Sequence, residues 1–162
     1  MSTKAPIQRA IDYGDCSVST SDVKFESGRL EEAKATVCIT LYNYDNFILD
    51  ALYSVFDQTL ENLGLVVMDD CSTDFGLRRV ERWMEEYAGR FTGARVVGHH
   101  VNRGLGFARN GAIAQAESEF VMILDADNEL YPRCVERLVS GIDGTDFAFA
   151  YSILERFGEE SG

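Results

Sequence analysis

The sequence predicts an α/β domain in which a mostly parallel sheet carries helices on both faces. Three short apolar runs, at residues 36–41, 64–68 and 120–124, have the length and composition of buried strands. Amphipathic stretches with helical spacing separate these runs, and strands that alternate with helices form parallel sheets. Hydrophobic residues make up 46% of the 162 residues, which is enough to fill a core.

The first half of the predicted sheet follows from apolar periodicity. Residues 36–41 are rich in β-branched side chains and predict the first strand. Asp45 or Asn46 then provides an N-cap for a helix whose apolar residues share one face. Residues 64–68 predict the second strand, and Asp74 or a neighbour opens the second helix.

The second half of the domain repeats this alternation. Residues 95–97 predict a short third strand, and the alanine-rich residues 106–116 predict the third helix. Residues 120–124 form the fourth strand. Pro132 suits the first turn of a fourth helix, because a helix leaves its first N–H groups unpaired. The apolar residues 146–154 predict a fifth strand.

The N-terminal segment differs from the rest of the chain. Residues 1–34 show no sustained apolar period, and part of this segment is rich in Ser, Thr and Asp. We therefore expect a flexible or loosely docked leader over residues 1–34. Residues 35–162 are the predicted folded domain.

Charge and hydropathy exclude several classes of partner. The chain has 27 acidic and 15 basic residues, a net charge of −12, whereas nucleic-acid binders present a basic face. The longest apolar run, residues 120–124, is far shorter than the roughly 20 residues of a membrane-spanning helix. We expect a cytoplasmic protein, with a peripheral position at the inner face of the membrane as the alternative.

Aspartates follow two of the predicted strands. Asp69 and Asp70 end the second strand, and Asp125 and Asp127 end the fourth. Ligands of parallel sheets bind beyond the carboxyl ends of the strands, where these four carboxylates would repel one another. Carboxylate oxygens suit Mg²⁺ or Mn²⁺, which are commonly held together with phosphate oxygens. The pattern predicts a metal-assisted diphosphate site; the alternative is that each aspartate only caps a turn.

Three blocks in register carry a family resemblance. They are Thr40-Leu41-Tyr42-Asn43 with Met68-Asp69-Asp70-Cys71-Ser72-Thr73-Asp74, then residues 102–110, and finally residues 119–128. Over roughly residues 36–132 the chain resembles the N-terminal, nucleotide-sugar-binding portion of a family 2 glycosyltransferase. That family has the GT-A fold, a Rossmann-like α/β sheet. Cys71 stands where the family often has glycine.

The resemblance implies a role for each matching residue. Thr40 and Tyr42 would hold the base, Asp70 would hydrogen-bond it, Arg109 would lie near the diphosphate, and Asp125 would contact the ribose or sugar. The implied nucleotide-sugar site comprises Thr40, Leu41, Tyr42, Asn43, Asp70, Arg109 and Asp125, with Asp127 and Asp125 as ligands of Mn²⁺ or Mg²⁺.

The resemblance also implies a reaction. A sugar would move, with inversion, from a nucleotide-diphosphate donor, favoured as a UDP-sugar, to a glycan or lipid-linked acceptor. The general base of the family lies well downstream of Asp127, so we expect it beyond Gly162, and the catalytic residue is not identified. The alternative is a truncated nucleotide-sugar-binding domain without transfer activity. Dimerisation through the edge after residue 154 is a further hypothesis.

Two other nucleotide folds fit less well. Gly104, Gly106 and Asp125 mimic a dinucleotide-binding fingerprint, but Arg109 occupies the position where that fingerprint needs a small residue. Phosphoryl-transfer domains of comparable topology need a lysine late in the chain. All three lysines of this chain lie at or before residue 34.

Adjacent histidines follow the third predicted strand. His99 and His100 would point to opposite faces of an extended chain, so they are not expected to hold one metal ion together.

Overall fold

The computed structural model describes residues 21–155, and in it five strands form a single sheet. The strands are β1 (Ser21–Gly28), β2 (Ala35–Leu41), β3 (Leu63–Asp69), β4 (Gly93–His99) and β5 (Phe120–Asp125). The helices are α1 (Ile48–Phe56), α2 (Gly76–Tyr87), α3 (Leu105–Gln115) and α4 (Cys134–Ile142), with short 3₁₀ helices at Leu30–Glu32 and Ala88–Arg90.

The strand order is β1-β4-β3-β2-β5, and four of the five strands are parallel. β2 lies between β3 and β5, with Thr40 opposite Met68 of β3 and Asp125 of β5. The register places the carboxyl ends of β2, β3 and β5 at one edge of the sheet. This confirms the predicted α/β class and its mostly parallel sheet.

Helices cover both faces of the sheet. Along β2, Val37, Ile39 and Leu41 point into the larger core, which α1, α2 and α4 cover. Cys38 of the same strand points the other way, onto the alanines of α3. Side chains alternate along a strand, so a strand covered on both faces is apolar throughout. The small side chains of α3 let it pack directly on β2 and β3.

The structure differs from the expected leader over residues 21–34. Residues 21–28 form β1, which pairs antiparallel with β4, and Leu30 is buried in the following 3₁₀ helix. β1 is an edge strand whose side chains are half-buried or exposed, and its apolar alternation is limited to Val23 and Phe25. Backbone hydrogen bonds to the free edge of β4 order it instead. The rest of the leader lies outside the described residues, and the domain boundary stays a prediction.

The prediction of a fifth strand at residues 146–154 is wrong. This segment has no regular structure and pairs with no strand, and Tyr151 and Ile153 are 85% and 98% exposed. β5 therefore has a strand partner, β2, on one side only within residues 21–155. Apolar alternation favours an extended chain, but a strand also needs ladder hydrogen bonds from a neighbour.

The helix starts also differ from the expected caps. α1 is preceded by Phe47, which makes no side-chain cap, rather than by Asp45 or Asn46. Asp74 does bond the start of α2, since its Oδ1 accepts from the Gly76 N–H at 2.9 Å. No helix in residues 21–155 is long and apolar enough to cross a membrane.

Candidate functional site

A cavity of about 350 Å³ opens at the carboxyl ends of β2, β3 and β5, beside the start of α3. Six of the eight residues predicted from the sequence lie in its wall. The wall is formed by Thr40, Leu41, Tyr42, Tyr44, Asp70, Asn102, Gly104, Leu105, Ala108, Asp125, Ala126 and Asp127. Asn43 and Arg109 are the two predicted residues that do not line it.

The end of β2 contributes three different surfaces to the cavity. Thr40 is 6% exposed, and its Oγ1 donates to Asp125 Oδ1 at 3.3 Å. The Leu41 side chain is buried in the core, and its carbonyl accepts from the Asp70 N–H at 2.8 Å. Tyr42 is 43% exposed, so its ring has a free surface at the site. A half-exposed aromatic ring can stack on a nucleobase.

Asn43 joins the loops that follow β2 and β3. Its backbone has a φ of +57°, the left-handed region that asparagine tolerates better than most residues. Its side-chain Oδ1 accepts from the N–H and the hydroxyl of Thr73 at 2.8 and 3.2 Å. Its own N–H donates to Ser72 Oγ at 3.1 Å. Asn43 therefore shapes the loops around the cavity.

The carboxylate of Asp70 is buried and fully bonded. Oδ1 lies 2.7 Å from His99 Nδ1, and the Arg103 N–H donates to both oxygens at 3.0 and 3.1 Å. The Gly104 N–H donates to Oδ2 at 2.7 Å. A carboxylate offers about four acceptor positions, and these contacts use them. The contact of Asp70 with a base stays a prediction.

Arg109 and Asp125 form an ion pair beside the cavity. Arg109 Nη2 lies 2.8 and 2.7 Å from the two carboxylate oxygens, and both side chains are about one-third exposed. The Nε atom of Arg109 is buried without a partner. A second cavity of about 740 Å³ lies on the other side of this pair, where Glu129, Tyr131 and the segment 153–155 also line it.

Three of the four carboxylates predicted to converge, those of Asp70, Asp125 and Asp127, lie in the cavity wall, and Asp69 does not. The strand ends do meet, but each carboxylate has its own surroundings. Asp69 Oδ2 accepts from the Ser72 N–H at 3.1 Å, its Oδ1 is buried without a partner, and burial raises the pKa of this carboxyl. Asp70 and Asp125 are bonded as described, and Asp127 is exposed. Asp69, Asp70 and Asp125 thus each have local hydrogen-bond partners.

The residues at the site can supply only a few of the ligands of a divalent cation. Within residues 21–155, no three His, Cys, Asp or Glu side chains are grouped to hold a metal ion. Asp127 is exposed at the cavity wall, and Asp125 beside it is already paired with Arg109. Such a donor set suits a magnesium-type ion that takes most ligands from phosphate oxygens and water. It does not suit an all-protein cage.

Sequence reasoning missed the role of His99. The two histidines do point to opposite sides, as predicted: His99 is buried against Asp70, while His100 is half-exposed and faces Asp22. No local pattern marks His99 as a partner of Asp70, because 29 residues separate the two in the chain. Asn102 was missed as well, and its Nδ2 donates to the Asp70 carbonyl at 3.3 Å.

The family is decided by comparison with known proteins. The family model described as glycosyl transferase family 2 matches residues 36–162. The chain belongs to this family. Its relatives include the teichoic acid poly(glycerol phosphate) polymerase of Staphylococcus epidermidis, 28% identical over 113 residues, which are 70% of this chain and 15% of the polymerase.

Solved structures of glycosyltransferases resemble this chain in fold and sequence. The S. aureus TarS 1–349 structure matches with a TM-score of 0.60 and 33% identity, over 68% of this chain and 32% of TarS. TarS has also been solved with UDP and with UDP-GlcNAc. The Pyrobaculum calidifontis mannosyltransferase PcManGT, in complex with GDP-Man and Mn²⁺, matches with a TM-score of 0.57 and 31% identity, over 62% and 29% of the two chains. The mostly parallel sheet is that of these GT-A neighbours.

The chain spans only part of the length of the curated relatives it matches. The matches cover between 15% and 46% of the lengths of the curated proteins.

Proposed function

We propose that this chain forms the donor site of a metal-dependent glycosyltransferase that uses a nucleotide-diphosphate sugar. The observation that carries the proposal is the 350 Å³ cavity, which brings Thr40, Tyr42, Asp125 and Asp127 together at the ends of three parallel strands. Ligands of parallel α/β sheets bind at this edge. Related glycosyltransferases bound to UDP, UDP-GlcNAc and GDP-Man add support.

The base would occupy the part of the cavity between Tyr42 and the start of α3. The exposed ring of Tyr42 offers a stacking surface, and Asn102 carries an amide whose remaining donor and acceptor positions can read a base edge. Uracil is the base we propose, with guanine as the alternative to be tested.

The diphosphate would lie toward Asp125, Asp127 and Arg109. Asp127 would hold Mn²⁺ or Mg²⁺, with Asp125 beside it, and a bound ion would neutralise charge as it develops on the leaving diphosphate. Arg109 adds a fixed positive charge next to Asp125. A chain of net charge −12 otherwise repels a diphosphate, so these cations are what make binding favourable.

The acceptor would enter from the other side of the Arg109–Asp125 pair. The 740 Å³ cavity there is large enough for a sugar unit of a glycan or lipid-linked acceptor. We propose an inverting transfer, with the general base supplied from outside residues 1–162. We further propose that the transfer takes place in the cytoplasm or at the inner face of the membrane. Homodimerisation stays a hypothesis.

Calorimetric titration with UDP tests the donor site. We expect binding in Mn²⁺ that weakens strongly in EDTA. Asp127→Ala should remove the metal-dependent part, whereas Asp146→Ala, an exposed aspartate far along the chain, should leave it unchanged. GDP and then TDP follow if UDP fails. If none of the three binds with or without metal, the proposal is wrong; if Asp127→Ala binds normally in Mn²⁺, the metal assignment is wrong.

Binding without transfer is the second candidate. The titratable acids in the wall of the smaller cavity are Asp70, Asp125 and Asp127, and the first two are already bonded to cationic or donor groups. The donor cavity thus contains no free carboxylate base apart from Asp127. A radiolabelled-sugar transfer assay on the longest natural chain separates the candidates, since a binding module would retain UDP affinity and transfer nothing.

A further inference from the structure

We propose that His99 is a positioning residue that, through Asp70, holds the wall of the nucleotide cavity in shape. The proposal rests on the proposed function only where it names a nucleotide as the ligand. His99 ends β4, Asp70 follows β3, and the backbone of Arg103 and Gly104 leads into α3. Three elements therefore meet in one buried hydrogen-bonded chain.

The first link is the pair of His99 and Asp70. Nδ1 and Oδ1 are 2.7 Å apart, and each side chain is only 3% exposed. An ionised carboxylate can only accept, so the hydrogen lies on Nδ1, and the pair fixes both the tautomer and the orientation of the ring. A buried charge-assisted hydrogen bond of this kind is among the stronger ones in proteins.

The second link is from Asp70 to the start of α3. The carboxylate accepts from the N–H groups of Arg103 and Gly104, which precede the helix. Gly104 has a φ of +87°, a conformation that side-chain-bearing residues rarely adopt. A negative charge is also favourable at a helix N-terminus. Asp70 thus holds a turn whose geometry the local sequence alone would not maintain.

His99 itself is enclosed by α3. Its ring lies 5.3 Å from the ring of Phe107. The guanidinium of Arg103 stacks on the same Phe107 ring, 3.6 Å from its centre. A Cβ on Gly111 would come within 3.4 Å of His99 Nε2, so α3 approaches the imidazole closely.

His99 does not line the cavity, but it acts on the cavity wall through Asp70. Gly104 and Leu105 line the cavity, and their position depends on the carboxylate of Asp70. Without the imidazole N–H, that buried carboxylate would lose a charge-assisted hydrogen bond. We expect the turn at residues 103–104 to open more often and the nucleotide to bind less tightly.

Amide hydrogen exchange measured by NMR tests the first part. His99→Leu removes the donor, His99→Asn keeps one near the position of Nδ1, and His100→Leu is the matched control at the exposed neighbour. We expect Arg103 and Gly104 to exchange roughly tenfold faster or more in His99→Leu. Core amides of β3, such as Val67, should change little, and His99→Asn and His100→Leu should resemble the parent.

UDP titration in Mn²⁺ tests the second part. We expect His99→Leu to bind UDP roughly 3- to 30-fold more weakly, with His99→Asn recovering most of the loss. Asp70→Asn is a second route to the same local opening if His99→Leu does not fold. Unchanged exchange at Arg103 and Gly104, or equal acceleration of every amide, would overturn the positioning role. If the parent chain binds no UDP, the proposed donor fails while the exchange experiment still decides the role of His99.

Discussion

The guanidinium of Arg109 forms an ion pair with the carboxylate of Asp125, which lines both the 350 Å³ and the 740 Å³ cavity. Nη2 contacts both carboxylate oxygens, at 2.8 and 2.7 Å, and Thr40 Oγ1 donates to one of them. α3 and β5 are thereby joined by charge at the sheet edge. The pair places a guanidinium cation against a carboxylate next to the place proposed for a diphosphate.

Arg109→Ala should weaken UDP binding. The substitution removes a cation near the diphosphate and leaves Asp125 with Thr40 as its remaining donor, so repulsion of the phosphates increases. We expect a roughly tenfold or larger loss of affinity by calorimetry, larger in EDTA than in Mn²⁺. Arg78→Ala, at an exposed position of α2, is the matched control. Equal affinities of Arg109→Ala and the parent would contradict a role for Arg109 at the diphosphate.

Asn43→Ala should destabilise the loops around the site. Alanine loses the bonds to Thr73 and must adopt a φ of +57° without a compensating side chain. We expect a loss of about 1–3 kcal/mol in the free energy of unfolding. Asn43→Gly, which accepts the backbone conformation, should lose less. Urea unfolding measures both, and an equal loss in the two variants would show that backbone strain contributes nothing.

Cys71 adopts a backbone conformation that suits glycine. Its φ is +65°, in the left-handed region that favours glycine. Cys71→Gly should change the free energy of unfolding by less than about 1 kcal/mol, toward stabilisation, because relief of strain exceeds the entropic cost of glycine. Cys71→Val should lose about 2 kcal/mol. The control is Cys134→Val at the start of α4, which should lose less free energy of unfolding. If Cys71→Val is as stable as the parent, the backbone at Cys71 is not strained.

Gln58 connects the end of α1 to the turn before α4. Its buried amide donates to the carbonyls of Ser54 and Tyr131, both at 2.9 Å, and accepts from the Val135 N–H at 3.0 Å. Gln58→Leu should therefore cost about 2–4 kcal/mol in thermal or urea unfolding. Thr59→Val removes only an exposed bond to Glu136 and should cost less. Similar losses in the two variants would rule out a special role for the buried amide.

Glu136 should make stability depend on pH in the acidic range. Hydrogen bonds from Arg133 and Thr59 lower the pKa of this carboxyl from 4.5 to about 2. A carboxyl whose pKa is lower in the folded state stabilises it above pH 4.5, and the contribution disappears as the pH falls through about 2. The Tm difference between the parent and Glu136→Gln should thus shrink between pH 5 and pH 2. A difference that stays constant over this range would contradict the shift.

The sequence by itself determined the parallel core and the edge at which the site lies. Residues 36–41, 64–68 and 120–124 could be recognised as strands because apolar periodicity is a local property. The aspartates were found because they follow these strands, and the motif at residues 40–43 was found by its resemblance to the family. The rule that parallel strands present their carboxyl ends together then located the cavity.

The tertiary structure alone decided which groups are bonded and which are free. The pairs of His99 with Asp70 and of Arg109 with Asp125 join different elements, and β1 is ordered by the edge of β4 rather than by its own sequence. The predicted strand at residues 146–154 lacks a partner for the same kind of reason. Local patterns specify backbone preference and burial, whereas charge partners and strand pairing depend on what the rest of the chain places alongside.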